Sequence, residues 1–126
     1  MTAPAPAARI LVVDDDRSVR DVLTRVLIQR GFAVASAGSG EDALNQLKAA
    51  RFGLMLLDVR MPPGLSGIDL LPHALDLDPE LPIIMLTAVS DVTTAARCMQ
   101  LGARDFLTKP IDIAALSSAI DQALAG

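Results

Sequence analysis

Leu54-Met55-Leu56-Leu57-Asp58-Val59-Arg60-Met61-Pro62-Pro63 is the stretch on which the fold turns. Four uninterrupted apolar residues run into a single carboxylate. A short, bounded apolar run reads as a strand buried on both faces, the habit of parallel sheets. Asp58 then stands at the carboxyl end of that strand, and open α/β sheets bind their ligands in the crevice outside those ends. The prolines that follow prevent a helix from starting at once, so Asp58 opens onto a loop. Taken alone, such a residue is equally well an acidic turn former closing a strand.

On the amino-terminal side, Arg9 to Val13 reads as a first strand ending in Asp14-Asp15-Asp16. Asp16 is suited to cap a helix in which Val19, Val22, Leu23, Val26 and Leu27 recur on one face, with Gly31 as its stop. Phe32 to Ala37 is a second strand, and Glu41 to Ala50 a helix with Ala43, Leu44 and Leu47 inward. The central strand spans Phe52 to Leu57. After it come a Pro/Gly loop and a helix from Gly67 to about Leu77, with Ile68, Leu71 and Leu75 on one face. Pro72 is expected to kink that helix or end it early. Pro82 to Leu86 is strand four, Asp91 to Leu101 a helix closed by Gly102, and Asp105 to Leu107 a short strand five. Asp112 caps a last helix with Ile113, Leu116, Ile120 and Leu124 inward.

Five β-α pairs in strict alternation predict an α/β domain, a parallel five-stranded sheet between two layers of helices. The flavodoxin-like order 2-1-3-4-5 fits this three-layer (βα)5 pattern, with the site at the switch point between strands one and three. The expected organisation is a flexible lead-in over residues 1–8 and one domain over residues 9–126.

Composition narrows the function. The chain of 126 residues is 52% apolar but only 2% aromatic, with neither Trp nor Tyr. That disfavours modules that stack bases on rings, and a net charge of −4 without a basic face disfavours direct nucleic-acid binding. One cysteine, Cys98, forms no internal disulfide and suits a reducing, cytoplasmic compartment. Its apolar helical setting reads as packing. His73 is the only histidine and reads as a surface residue. No apolar run is long enough to span a bilayer, and the lead-in has no signal-peptide pattern.

Asp14 and Asp15 follow strand one, Asp58 strand three, Thr87 strand four and Lys109 strand five. All stand at carboxyl ends of strands, so one crevice can gather them. Three carboxylates together resist ionisation unless a cation sits among them. Hard oxygen ligands with room for water suit Mg²⁺, with Mn²⁺ as the alternative. Such a cation and the Lys109 ammonium together can hold a phosphoryl group, and carboxylate attack on phosphorus gives an acyl phosphate.

Four ordered motifs carry a resemblance: Ile10-Leu11-Val12-Val13-Asp14-Asp15-Asp16, Leu56-Leu57-Asp58-Val59-Arg60-Met61-Pro62, Leu86-Thr87-Ala88, and Gly102-Ala103-Arg104-Asp105-Phe106-Leu107-Thr108-Lys109-Pro110. From Arg9 to its end the chain resembles the receiver domain of two-component response regulators. The resemblance implies a phosphoacceptor at Asp58, loaded by a histidine kinase or phosphotransfer protein. It implies a Mg²⁺ site of Asp14, Asp15, Asp58 and the Arg60 backbone carbonyl, with Asp15 a direct ligand and Asp14 bound mostly through water. Thr87, Ala88 and Lys109 would bind the phosphate, Thr87 and Phe106 would act as switch residues, and the Lys109–Pro110 peptide would be cis. It further implies a downstream protein target or an output domain beyond this chain, and allows a phosphorylation-dependent dimer. It implies no direct nucleic-acid contact, no membrane contact and no steady enzymatic turnover.

Two departures stand out. The loop from Met61 to Gly67 is one residue longer than the commonest form, and position 106 is Phe where Tyr is frequent, so the switch ring has no hydroxyl. A competing enzymatic reading also exists. Val12-Val13-Asp14-Asp15-Asp16 fits the hydrophobic-Asp-x-Asp opening of haloacid-dehalogenase-like phosphatases, with Asp14 as nucleophile and Asp16 as acid/base. The chain is short for that fold, and no later acidic pair supplies a metal.

Overall fold

The apolar run before Asp58 is wholly inaccessible to solvent because it forms the middle strand of a sheet covered on both faces. The computed structural model describes residues 8–125. Apart from Ala8, the expected lead-in lies outside the described residues, as does Gly126. In chain order the elements are β1 (Arg9–Val13), α1 (Arg17–Gln29), β2 (Ala33–Ala37), α2 (Gly40–Ala49), β3 (Leu54–Asp58) and α3 (Gly67–Leu77). They continue with β4 (Ile83–Ala88), a 3₁₀ turn (Val89–Asp91), α4 (Val92–Gln100), β5 (Asp105–Lys109) and α5 (Ile113–Ala125). All strand pairs are parallel, in the order β2-β1-β3-β4-β5. The flavodoxin-like expectation is met.

Period-two alternation along the inner strands divides the core into two halves. Ile10, Val12, Leu54, Leu56, Ile84 and Leu86 pack with Leu23 and Leu27 of α1 and with Leu116 and Ile120 of α5. Leu11, Val13, Met55, Leu57, Ile83 and Met85 pack with Ala43 of α2, Leu70, Leu71 and Ala74 of α3, and Cys98 of α4. Burying one such leucine contributes about 1.5–3 kcal/mol. The doubly covered sheet is therefore where most of the stability resides.

Several sequence-based bounds shift. The β3 strand begins at Leu54 rather than Phe52, with Gly53 already donating to Arg9 O at 2.8 Å. β4 and β5 run on to Ala88 and Lys109, held by the pairs Thr87↔Thr108 and Ala88↔Lys109. α4 starts after a 3₁₀ turn, at Val92 rather than Asp91. α3 passes through Pro72 to Leu77, so the helix does not end early. Pro72 lies on its exposed side, where the missing donor costs one bond of the helical ladder. The inward face of α5 is Leu116, Ala119, Ile120 and Ala123; Ile113 and Leu124 are largely exposed. Two alanines fit closer to the sheet there than larger residues would. Val22 of α1 is likewise exposed, and Leu23 and Leu27 carry that helix's contact.

Two glycines have specific roles, one at each end of the sheet. Gly31 ends α1 at φ 94°, a left-handed conformation favouring glycine. Gly67 donates to Val59 O at 3.0 Å and starts α3 so close to β3 that a Cβ would lie 1.8 Å from Asp58 O. Only glycine allows α3 to begin against the end of the central strand.

Candidate functional site

Register sets the level of each functional side chain. Val13 pairs with Leu57, which puts Asp14 beside Asp58 across β1 and β3. Asp58 pairs with Leu86, so Thr87 follows at the same end, and Ala88 pairs with Lys109 on the next strand. The structure thus brings Asp14, Asp15, Asp58, Thr87, Ala88 and Lys109 to the carboxyl end of one sheet. Asp14, Asp58 and Thr87 are buried, Asp15 and Ala88 are exposed, and Lys109 is half-buried.

Asp14, Asp15 and Asp58 each offer a carboxylate oxygen within 4.8 Å of the others. Lys109 Nζ lies 2.7 Å from Asp14 Oδ2 and 3.5 Å from Asp58 Oδ2. Asp14 Oδ1 accepts from the Asp16 N–H at 2.9 Å. Asp14 Oδ2 is sealed from water, with the Lys109 ammonium at 2.7 Å as its donor. Asp58 Oδ1 accepts a long 3.4 Å bond from the Arg60 N–H. Burial, and then the negative charge of Asp14, push the Asp58 carboxyl up to about 7, against the opposing pull of Lys109 and the Arg60 N–H. Burial works against the Lys109 ammonium, but Asp14 and Asp58 outweigh it and raise that group above its ordinary value.

One cation among three carboxylates leaves the crevice short of positive charge. The set is all oxygen, three carboxylates face a single ammonium, and it opens to solvent through Asp15. Those features fit a hard divalent ion that keeps several waters. They do not fit a thiolate or imidazole site, since Cys98 is buried under α4 with its thiol pushed up by burial, and His73 sits on the exposed side of α3.

The Thr87 hydroxyl points into its own loop, within 3.2 Å of Ala88 O and 3.3 Å of Asp91 O. Phe106 is half-buried, its ring packed against the core half that contains Met85 and Cys98. The Lys109–Pro110 peptide is cis, and so is Pro62–Pro63 in the long loop after β3. Leu65 N–H anchors that loop on Glu41 Oε2 at 3.1 Å.

Sequence reasoning missed two contacts that shape the crevice. Arg20 Nη1 donates to Asp14 O at 2.7 Å, so a guanidinium from α1 braces the loop after β1. The Arg60 side chain, read only for its backbone carbonyl, reaches across to α4. It holds the Asp91 carboxylate through two contacts, Nη2–Oδ1 being 3.1 Å, and lies 3.4 Å from Thr94 Oγ1. Arg60, with help from Thr94, keeps the Asp91 carboxyl below the usual carboxylate range. A basic residue two positions after Asp58 was the only signal for that bridge.

Comparison with known proteins agrees with the geometry. The model of the response regulator receiver domain matches residues 10–121. Transcriptional regulatory protein ZraR of Salmonella typhimurium is 44% identical over 116 residues, covering 92% of this chain and 26% of that protein. The crystal structure of the receiver domain of NtrX from Brucella abortus superposes with a TM-score of 0.89 at 31% identity, over 92% of this chain and 98% of that one. A response regulator receiver domain protein from Clostridium thermocellum gives 0.88 at 31% identity, over 94% of each. The chain spans about a quarter of the length of the curated relatives it matches.

Proposed function

The chain belongs to the response regulator receiver domain family, and from that premise we propose that Asp58 accepts a phosphoryl group from a histidine kinase or phosphotransfer protein. The observation that carries this reading is the meeting of Asp14, Asp15, Asp58 and Lys109 at one sheet end, with Asp58 alone on the buried central strand. An Asp58 oxygen attacks phosphorus, the P–N bond to the donor imidazole breaks, and the leaving nitrogen keeps the electron pair and takes a proton.

Asp14, Asp15, Asp58 and the Arg60 carbonyl would hold Mg²⁺, or Mn²⁺ in its place. When bound, that ion neutralises charge on the transferring group. Lys109 is placed to pair with a phosphoryl oxygen once its contact with Asp58 Oδ2 loosens. The Ala88 backbone and the Thr87 hydroxyl are the remaining phosphate-binding groups. Thr87 and Phe106 form the switch, altering the surface of α4, β5 and α5, where Val89, Val92, Met99 and Leu101 already expose apolar area.

We place the receiver unit at residues 9–126 and its work in the cytoplasm. Among the described residues no helix is long and apolar enough to cross a membrane. Its output is a downstream protein target or a further domain, with dimerisation on phosphorylation as one route. It assists its own phosphorylation and dephosphorylation without turning over a separate substrate. The phosphatase-like alternative loses support here, because Asp16 Oδ1 is occupied as the cap of α1, accepting from the Ser18 N–H at 2.8 Å. Its supposed nucleophile, Asp14, has both oxygens engaged, Oδ1 by the Asp16 N–H and Oδ2 by Lys109.

The test is intact-mass measurement after incubation with a small phosphodonor and Mg²⁺. One added phosphoryl group is expected, lost in Asp58→Asn. An adduct that persists in that variant would refute the assignment.

A further inference from the structure

Four of the five helices are capped by their own sequence. Asp16, Ser39 and Ser66 accept N–H bonds from the first turns of α1, α2 and α3, and Asp112 does so for α5 through Ala115. The exception is α4. Asp91 stands at its N-cap, yet the carboxylate makes no capping bond. It is turned outward to Arg60, whose guanidinium also approaches Thr94 in the first turn of the same helix.

The main chain of Asp91 has a second partner. Its carbonyl lies 3.3 Å from the Thr87 hydroxyl, which is otherwise directed at Ala88 O. A hydroxyl has one proton to give. While that proton is shared between two loop carbonyls, Thr87 offers no donor toward Asp58. Arg60 is itself tied to the acceptor, its N–H donating to Asp58 Oδ1. A continuous chain of contacts therefore runs from Asp58 through Arg60 and Asp91 to Thr87.

We propose that the Arg60–Asp91 pair is a latch that holds the loop after β4 in its resting position and keeps the Thr87 hydroxyl away from Asp58. For the hydroxyl to reach an oxygen on Asp58, the Asp91 carbonyl must be left behind, and a gripped Asp91 resists that shift. Release has its own compensation, because a freed Asp91 carboxylate is the residue type that caps α4 best. Arg60 and Asp91 are positioning residues, acting through Thr87. They set the resting equilibrium on which phosphorylation works. This inference rests on Asp58 being the acceptor.

The experiment measures affinity for beryllofluoride, a phosphoryl mimic, in the presence of Mg²⁺, by NMR titration of the full chain. A ligand that prefers the released state binds more tightly when the resting state is weakened. An exposed ion pair of this kind predicts a gain of roughly two- to five-fold in Asp91→Asn. In an Arg60→Gln background the same substitution should give no gain, since its partner is already gone. Arg60→Lys, which keeps the charge but loses the two-pronged grip, should gain part of the effect. The Thr87 amide and methyl resonances of metal-free Asp91→Asn should move toward their mimic-bound positions, a change that mere loss of surface charge would not produce. Unchanged or weaker affinity in Asp91→Asn would overturn the latch, as would a gain that persists in Arg60→Gln. If the wild-type protein itself does not take the mimic, the acceptor reading falls as well. If it does and Asp91→Asn matches it, the latch alone fails.

Discussion

Removing the Asp58 charge should make the metal-free protein more stable, and only above the acidic range. In Asp58→Asn a neutral amide replaces a carboxyl that burial and Asp14 raise from 3.8 to about 7. In the folded chain the protonated acid is the favoured form, so between those two values the native state holds more protons than the unfolded one. Stability of the wild type therefore falls as pH rises through that window, and the loss is complete above about pH 7. At about 1.36 kcal/mol per pH unit, the whole window corresponds to about 4 kcal/mol. Roughly 2–3 kcal/mol of that accumulates between pH 5 and pH 7. The amide does not titrate, so the variant lacks this slope. The assay is urea unfolding of both proteins in EDTA across that range, followed by circular dichroism, since the chain has no Trp or Tyr. The advantage of Asp58→Asn should grow with pH in EDTA and shrink when Mg²⁺ is added, because the ion stabilises only the state that binds it. A pH-independent difference, or a wild type that is the more stable protein at pH 8 in EDTA, would refute the electrostatic account of the crevice.

Calorimetric Mg²⁺ titration should show that Asp15→Ala abolishes binding more completely than Asp14→Ala. Lys109→Ala should leave Mg²⁺ binding intact, because an ammonium competes with the cation, while impairing the response to the phosphoryl mimic. Gly67→Ala should destabilise the fold by about 1–3 kcal/mol in urea unfolding, since its Cβ meets Asp58 O and the start of α3 must retreat. Chemical-shift changes on phosphorylation should concentrate in Asp91 to Leu101, Asp105 to Leu107 and Asp112 to Leu124, and changes confined to α1 would contradict the proposed output surface.

The sheet was legible because its signal is redundant. Each inner strand is a run of apolar residues, and missing one bound, as at Phe52, leaves the neighbours in place. Helix faces were less legible. In α5 the sheet contact falls on Ala119 and Ala123 rather than on Ile113 and Leu124, because hydrophobicity records what a residue tolerates and packing distance selects for size. The acidic and basic residues of the site were readable one by one, since each sits at the end of a strand and register does the rest. The Arg60 bridge was not readable. It joins positions 31 apart between two loops, and no periodicity links loop residues.

That division has a physical cause. A crevice with three carboxylates and one ammonium is locally unfavourable, as the raised Asp58 carboxyl records. It persists because the groups stand on strand ends whose apolar partners are locked between two layers of helices. The core supplies stability wherever the chain alternates in period two, and the site spends a little of it at residues 14, 15 and 58. Switching needs a different kind of contact, one weak enough to break at the free energy of a single phosphoryl group. Buried leucines cannot serve, because exposing even one costs about 1.5–3 kcal/mol with no compensating partner. Exposed polar contacts between loops can, since water replaces what they lose. The Arg60 guanidinium on Asp91 is of that kind, and the buried Thr87 hydroxyl has only to exchange one acceptor for another. Of the proposed switching contacts, Thr87 was legible at its strand end, and the Arg60–Asp91 pair was not.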